Sequence, residues 1–264
     1  MTCIGKGEFL NGDCLDVMKG IQSGSVDMIM CDLPYGTTKC EWDSVIPFES
    51  MWKEIWRVCK MDSAVVLTAS QPFTSALLMS QIDYFRTALI WDKGYQTGFM
   101  TSSKLPLKAH EDILVFYRKA GAYNPQVSTS DTPVKRNRSS SDPDRGFLGG
   151  TAGVHGGVLD EVSGKTKKEY FVDKTGYPTS IVVSDNTRYS VSKWHETQKP
   201  VDLFVQLIQM WSRRGDLVLD LTAGSGTTAI ASEITGRRWI CIEKNRDFFD
   251  RAISDVQHYS RIYG

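Results

Sequence analysis

Asp32-Leu33-Pro34-Tyr35 brings a carboxylate, a proline-stiffened backbone and an aromatic ring together within one short stretch of chain. Such a set can grip a planar base. The carboxylate accepts from an amino group, and the ring stacks on the base face. Pro34 has no N–H and a fixed φ, so the neighbouring carbonyls are left as directed acceptors. A strand followed by a plain Pro-Tyr turn would carry the same letters. A second stretch, Gly215-Asp216-Leu217-Val218-Leu219-Asp220-Leu221-Thr222-Ala223-Gly224-Ser225-Gly226-Thr227-Thr228, reads as a strand ending in an acid, then a glycine-rich turn that opens a helix. Glycines there permit close backbone approach to a ligand. Further on, Trp239-Ile240-Cys241-Ile242-Glu243 is another strand ending in an acid, placed as ribose-binding acids are placed in nucleotide-binding βαβ units. Ala229 stands where a dinucleotide fingerprint needs its third glycine, so a nucleoside without a pyrophosphate fits better than NAD.

These groups need strands whose carboxyl ends lie side by side. Apolar runs predict strands over Glu8 to Asp13, Val26 to Asp32, Ala64 to Ser70, Phe85 to Asp92, Asp112 to Arg118, Asp216 to Leu221 and Trp239 to Glu243. Most are continuous apolar runs, the pattern of strands covered on both faces. Helices are expected over Phe48 to Cys59, Pro72 to Gln81, Val201 to Trp211, Thr227 to Thr235 and Phe248 to Tyr259, from apolar spacing near 3.6 and from Pro and Gly at the ends. Residues 120 to 193 break this pattern with Asn124-Pro125, Thr132-Pro133, Ser139-Ser140-Ser141, Asp142-Pro143 and many glycines.

Three segments together carry a family resemblance. Asp32-Leu33-Pro34-Tyr35 resembles the catalytic D-P-P-Y motif of amino-group DNA methyltransferases, Asp220 to Thr227 resembles their D-P-F-A-G-S-G-T cofactor motif, and His195-Glu196-Thr197-Gln198-Lys199-Pro200 is similar to their H-P-T-Q-K-P segment. Asn11-Gly12-Asp13-Cys14 resembles the family's adenine-contacting turn, and Ala109 to Phe116 resembles another family segment. The catalytic motif precedes the cofactor motif, which is the permuted order of the β class.

The resemblance implies an α/β, Rossmann-like methyltransferase fold: a seven-stranded, mostly parallel sheet with one antiparallel strand, helices on both faces and an irregular recognition insert. It divides the chain into a catalytic half (1–119), a target-recognition insert (120–193) and a cofactor-binding half (194–264). S-adenosylmethionine is the implied cofactor, held by Asp13, Cys14, Asp32, Lys199, Asp220, Ala223, Gly224, Ser225, Gly226, Thr227 and Glu243. Asp13 and Cys14 go to the adenine edge, Lys199 to the carboxylate, Asp220 to the ammonium and Glu243 to the ribose. As a bare sequence feature, Lys199 reads equally well as a surface lysine before a helix.

Catalysis falls to Asp32, Leu33, Pro34 and Tyr35. An exocyclic amine is a poor nucleophile, so the base must leave the stack and be held in line with the methyl group. Leu33 replaces the family's more frequent proline. The family's proline is also replaced by Glu196, and neither His195 nor Glu196 is assigned a role; His110 and Glu111 are expected to be structural. Asp in the first motif position favours N6-adenine in double-stranded DNA. N4-cytosine methylation, RNA adenine methylation and a non-catalytic DNA-binding regulator are the alternatives. In the insert, Lys135, Arg136, Arg138 and Arg145 form one basic cluster and Lys165, Lys167 and Lys168 another, placed to bind DNA phosphates and read bases. A solvated loop would show the same composition.

The chain has 264 residues, with 31 basic and 31 acidic side chains, which excludes a uniformly basic nucleic-acid binder. Its six cysteines form no C-x-x-C pair, so neither a metal site nor a disulfide framework is expected. No apolar run reaches membrane-spanning length and no signal-peptide pattern is present, so a cytoplasmic protein, bacterial or phage-encoded, is expected. Relatives of the β class often form homodimers, and no residue here marks an interface. The expected setting is a restriction-modification system or a solitary modification enzyme.

Overall fold

A computed structural model of the chain describes residues 2–37, 40, 43–137, 169–184 and 198–263. It contains two compact units, one spanning 1–126 with 178–264 and the other 127–177. In chain order the described strands are β1 (Thr2–Ile4), β2 (Gly7–Asn11), β3 (Val26–Asp32), β4 (Cys59–Ala69), β5 (Phe85–Thr97), β6 (Lys108–Phe116), β7 (Ser128–Asn137), β8 (Glu169–Gly176), β9 (Ile181–Val183), β10 (Leu217–Asp220) and β11 (Arg238–Glu243). The α-helices are α1 (Cys14–Met18), α2 (Phe48–Val58), α3 (Phe73–Met79), α4 (Val201–Trp211), α5 (Thr227–Thr235) and α6 (Arg246–Tyr263).

The larger unit is built on a nine-stranded sheet in the order β1-β2-β11-β10-β3-β4-β6-β5-β9. Strands β2, β11, β10, β3 and β4 are parallel neighbours. β6 lies antiparallel between β4 and β5, and β1 pairs antiparallel with β2 at the edge. All the strands and helices expected from the apolar runs are present, with ends shifted by a few residues. The expected strand count of seven was too low. The added edge strands β1 and β9 are three residues each, too short to show a period.

β3 explains why its run is continuously apolar. Met28 and Met30 pack into a layer with α4, α5 and α6, while Ile29 and Cys31 pack into the opposite layer with α1, α2 and α3. All four are fully buried. Each buried side chain of this size contributes about 1.5–3 kcal/mol.

The connections place the site. From β3 the chain moves outward to β4, and from β10 it moves the other way to β11. The carboxyl ends of β3 and β10 therefore flank a point where the winding reverses, the place where open α/β sheets bind ligands. At the far edge, β1 and α6 bring distant parts of the chain together. A Cβ built on Gly5 would fall 2.2 Å from Ser260 Oγ.

The stretch 120–193, expected to be one insert, is divided. Asn124 donates its backbone N–H to the Met210 carbonyl at the end of α4 (2.7 Å), and β9 extends the main sheet beside β5, so both ends belong to the larger unit. The smaller unit contains an antiparallel ribbon of β7 and β8, with Lys135 opposite Phe171 and Arg136 opposite Tyr170. Arg138, Arg145, Lys165, Lys167 and Lys168 lie outside the described residues, as do His195, Glu196 and Thr197. No helix among the described residues is long and apolar enough to cross a membrane.

Candidate active site

A cavity of about 770 Å³ opens at the carboxyl ends of β3, β10 and β11 in the larger unit. Its lining includes Asp13, Cys14, Asp32, Leu33, Pro34, Tyr35, Lys199, Asp220, Ala223, Gly224, Ser225, Thr227 and Glu243. Thus every expected catalytic residue and every expected cofactor residue except Gly226 meets in one space. Gly226 has a role in the fold. It begins α5 with φ +78°, and a Cβ there would stand 2.9 Å from Val256 on α6, so both backbone conformation and helix packing require glycine.

At the end of β3, Asp32 is held by three neighbours. Tyr35 donates its hydroxyl to Oδ1 at 2.7 Å, Thr68 at the end of β4 donates to the same oxygen at 2.5 Å, and Lys199 Nζ lies 3.0 Å from Oδ2. Burial pushes the Tyr35 hydroxyl well above its ordinary range, and the charge of Asp32 pushes it further, so Tyr35 remains a donor. Its ring stacks on Phe73 with centroids 5.3 Å apart.

Lys199 is not a surface lysine. It is 8% exposed and lies between two carboxylates, those of Asp32 and Glu111, the latter at 3.1 Å from Nζ. Burial alone would lower its pKa, but Asp32 and Glu111 together raise it above the ordinary lysine value. The structure therefore ties Lys199 to the carboxylate of Asp32. Glu111, expected to be structural, lines the cavity and also has Lys93 Nζ 3.6 Å from its other oxygen.

The β10 end is joined to β3 by Thr222. Its hydroxyl donates to the Asp32 carbonyl at 2.9 Å, and its N–H donates to Asp220 Oδ1 at 3.0 Å. Asp220 also accepts from Thr228 at 2.5 Å. Burial raises its pKa to about 6, with the hydrogen bonds opposing that rise. The raised folded-state value means that Asp220 favours folding most below its ordinary value of 3.8, and that this contribution is lost as pH rises through about 6. Asp220→Asn, which cannot ionise, should therefore stabilise the ligand-free protein by roughly 1–3 kcal/mol at pH 7–8, with little gain near pH 4. Thermal melts of both proteins across pH test this. A variant less stable than the parent at neutral pH would show that Thr222 and Thr228 favour the charged form more than burial opposes it.

Glu243 ends β11 and is 8% exposed. Its oxygens accept from the backbone N–H groups of Gly224 (2.8 Å) and Asn245 (2.7 Å), and burial raises its pKa. Gly224, with φ +51°, makes the tight turn that brings this N–H to the acid. Asp13 caps α1 by accepting from Leu15 N (3.0 Å) and pairs with Lys244 at 3.1 Å. Beside it, burial and the Asp13 charge push the Cys14 thiol up to about 11.

The cavity also contains residues that sequence reading missed: Trp91, Lys93, Lys108, Glu111, Thr222, Asn245 and Phe248. Trp91, Lys93, Lys108 and Glu111 come from β5 and β6, whose places beyond β4 depend on long-range pairing. Thr222 sits inside the quoted glycine motif, and its neighbour Asp220 was the available signal.

A cleft with an acid held by backbone N–H groups at the end of β11, a glycine turn, buried acids near its floor and an aromatic wall suits an adenosyl group carrying a charged tail. The described residues therefore fit S-adenosylmethionine. Comparison with known proteins agrees. Residues 26–254 match the N6/N4 DNA methylase family. The chain is 26% identical over 261 residues to the Type II methyltransferase M1.MboII of Moraxella bovis, covering 91% of this chain and 92% of that one. It is 26% identical over 272 residues to the DNA adenine methyltransferase YhdJ of Escherichia coli, covering 95% and 84%. Its fold matches the PvuII cytosine-N4-specific DNA methyltransferase with a TM-score of 0.64 at 15% identity, covering 98% of this chain and 92% of that one. Solved proteins of this fold include complexes with S-adenosylmethionine. The chain belongs to the N6/N4 DNA methylase family, the DNA amino-methyltransferases that use S-adenosylmethionine.

Proposed function

We propose that the enzyme methylates the N6 amine of an adenine turned out of double-stranded DNA. The observation that carries this reading is Asp32, a partly exposed carboxylate at the mouth of β3, fixed by Tyr35, Thr68 and Lys199 beside the cofactor cleft. S-adenosylmethionine supplies a methyl group made electrophilic by its sulfonium. The chain's own residues must do the rest. Asp32 accepts a hydrogen from the amine and draws its lone pair out of the ring. A carbonyl of Leu33 or Pro34 accepts the other, and Tyr35, backed by Phe73, offers its ring to the base. Bound S-adenosylmethionine would give its methyl group to the nitrogen lone pair and keep the C–S electron pair on sulfur. The nitrogen then sheds one proton, with Asp32 as the acceptor within reach. In the cleft, Glu243 takes the ribose hydroxyls, Asp220 orients the ammonium, and Asp13 and Cys14 meet the adenine edge.

The ribbon of β7 and β8, with Lys135 and Arg136, is the part of the recognition region that binds DNA in this reading. Adenine is favoured over cytosine by Asp32 and by the likeness to an adenine methyltransferase. The test is nucleoside mass spectrometry on unmethylated genomic DNA incubated with protein and S-adenosylmethionine. N6-methyldeoxyadenosine is expected. N4-methyldeoxycytidine would overturn the base assignment, and no modified base would overturn the reading.

A further inference from the structure

The tip between β5 and β6 is the most apolar exposed feature near the cavity. Met100 is 100% exposed, Phe99 66% and Leu105 63%. Single exposed apolar residues are ordinary, but three within a few positions at the rim of a functional cleft mark an interaction surface. The tip is also ordered by its own backbone. Thr101 N–H donates to the Gly98 carbonyl at 3.0 Å, Ser102 N–H to Phe99 at 3.2 Å and Lys104 N–H to Thr101 at 2.9 Å. Gly98 enters this turn with φ +89°. The apolar pair is therefore presented on a preformed turn.

Topology fixes where the tip lies. β6 is antiparallel to both β4 and β5, so β5 runs in the direction of β4 and β3. Its carboxyl end emerges on the edge that carries Asp32. Tyr95 and Thr97 on one arm and Lys108 on the other line the cavity, and the tip stands just beyond them. Three residue steps lead from Thr97 to Met100, a reach of at most about 10 Å, against groove depths of about 7.5–8.5 Å in duplex DNA.

The charge fits a polyanion. From Lys93 to Ala109 there is no acidic residue, although acids and bases balance over the whole chain. Lys93 is held by Glu111, while Lys104 is exposed on the tip and Lys108 is part-exposed at the rim.

We propose that the Gly98–Leu105 tip is a wedge, with Phe99 and Met100 entering the base stack of duplex DNA and filling the space left by the target base. Apolar side chains inserted between base steps unstack them at a cost of a few kcal/mol, and a filled gap keeps the displaced base from returning. Lys104 and the hydroxyls of Thr101, Ser102 and Ser103 face the flanking backbone. The inference rests on the reading that the target base leaves the stack.

The experiment uses two oligonucleotide duplexes built on the site that sequencing of the modified genomic DNA identifies. One is fully paired. The other has an abasic position opposite the target, so that no pairing holds the base. Phe99→Ser, Met100→Ser and the double variant are compared with the parent in single-turnover transfer, cofactor titration, melting temperature and sedimentation. On the paired duplex the double variant should be slower by about 10- to 100-fold. On the abasic duplex it should keep most of the parent rate, with unchanged cofactor affinity and melting temperature. Parent-like rates on the paired duplex would overturn the wedge. So would equal losses on both duplexes, or a loss accompanied by dissociation of a dimer, which would assign the tip to a second copy of the chain. A parent enzyme that modifies no DNA sinks the functional reading and the wedge together; an active parent with unaffected variants sinks the wedge alone.

Discussion

Asp32→Ala should lower methyl transfer by about a thousandfold, the scale of losing a positioned polar partner of the developing charge. The cofactor affinity should remain near that of the parent, because Glu243, Gly224 and Asp220 are held by bonds that do not involve the Asp32 side chain. The substitution also leaves few orphans. Lys199 keeps Glu111 at 3.1 Å, and Tyr35 and Thr68 line or adjoin a cavity that water can enter. Asp32→Asn separates charge from shape, since it keeps one acceptor and the packing but cannot take a proton. Single-turnover transfer and cofactor titration on both variants decide the matter. Parallel losses of transfer and cofactor binding would make Asp32 a structural residue.

Lys199→Met should be the most damaging change to stability in the site. It leaves Asp32 and Glu111 around the vacated position, with Lys93 3.6 Å from Glu111 and Lys108 near enough to feel its charge. Breaking a buried ion pair by removing one partner costs about 3–5 kcal/mol. The pH dependence has a definite sign. In the parent, Lys199 is held charged above its ordinary value of 10.5, so its contribution is complete below that pH and lost only in stronger alkali. In the variant, Asp32 and Glu111 lose the positive charge that lies between them, and their mutual repulsion adds to the loss. Lys199→Met combined with Glu111→Gln removes the excess negative charge and should recover much of the loss. Denaturation curves at several pH values test this, and a single variant as stable as the parent throughout would refute the coupling.

The extent to which this site was legible follows from how far apart in sequence its parts lie. Asp32, Tyr35, Asp220, Gly224 and Glu243 each occupy a strand end or turn that a local stretch of residues defines, so type and spacing were enough to bring them out. Glu111 is separated from Lys199 by the whole region in which local patterning fails, and only the pairing of β6 against β4 brings it to Asp32. Thr68 reaches Asp32 because β3 and β4 are in register, with Asp32 directly beside Thr68. The apolar runs revealed the main strands because both faces of the sheet are covered. β1, β9 and the five-residue α1 are too short to carry a periodic signal. Gly226 is a different case: a glycine needed by a ligand and a glycine needed by a neighbouring helix look the same in sequence, and its packing against α6 is visible only in the fold.

The pocket spans β3 and β10, which are joined by hydrogen bonds and by Thr222 but by no short connection. Which half is translated first therefore carries no chemical information. With β1 and α6 already touching at Gly5 and Ser260, the chain could be closed there and opened on another surface loop. The two acid-tipped strands would then appear in the reverse order along the polypeptide, with their spacing in the sheet unchanged. Motif order would change in such a rearranged chain, while sheet adjacency would keep the chemistry in place.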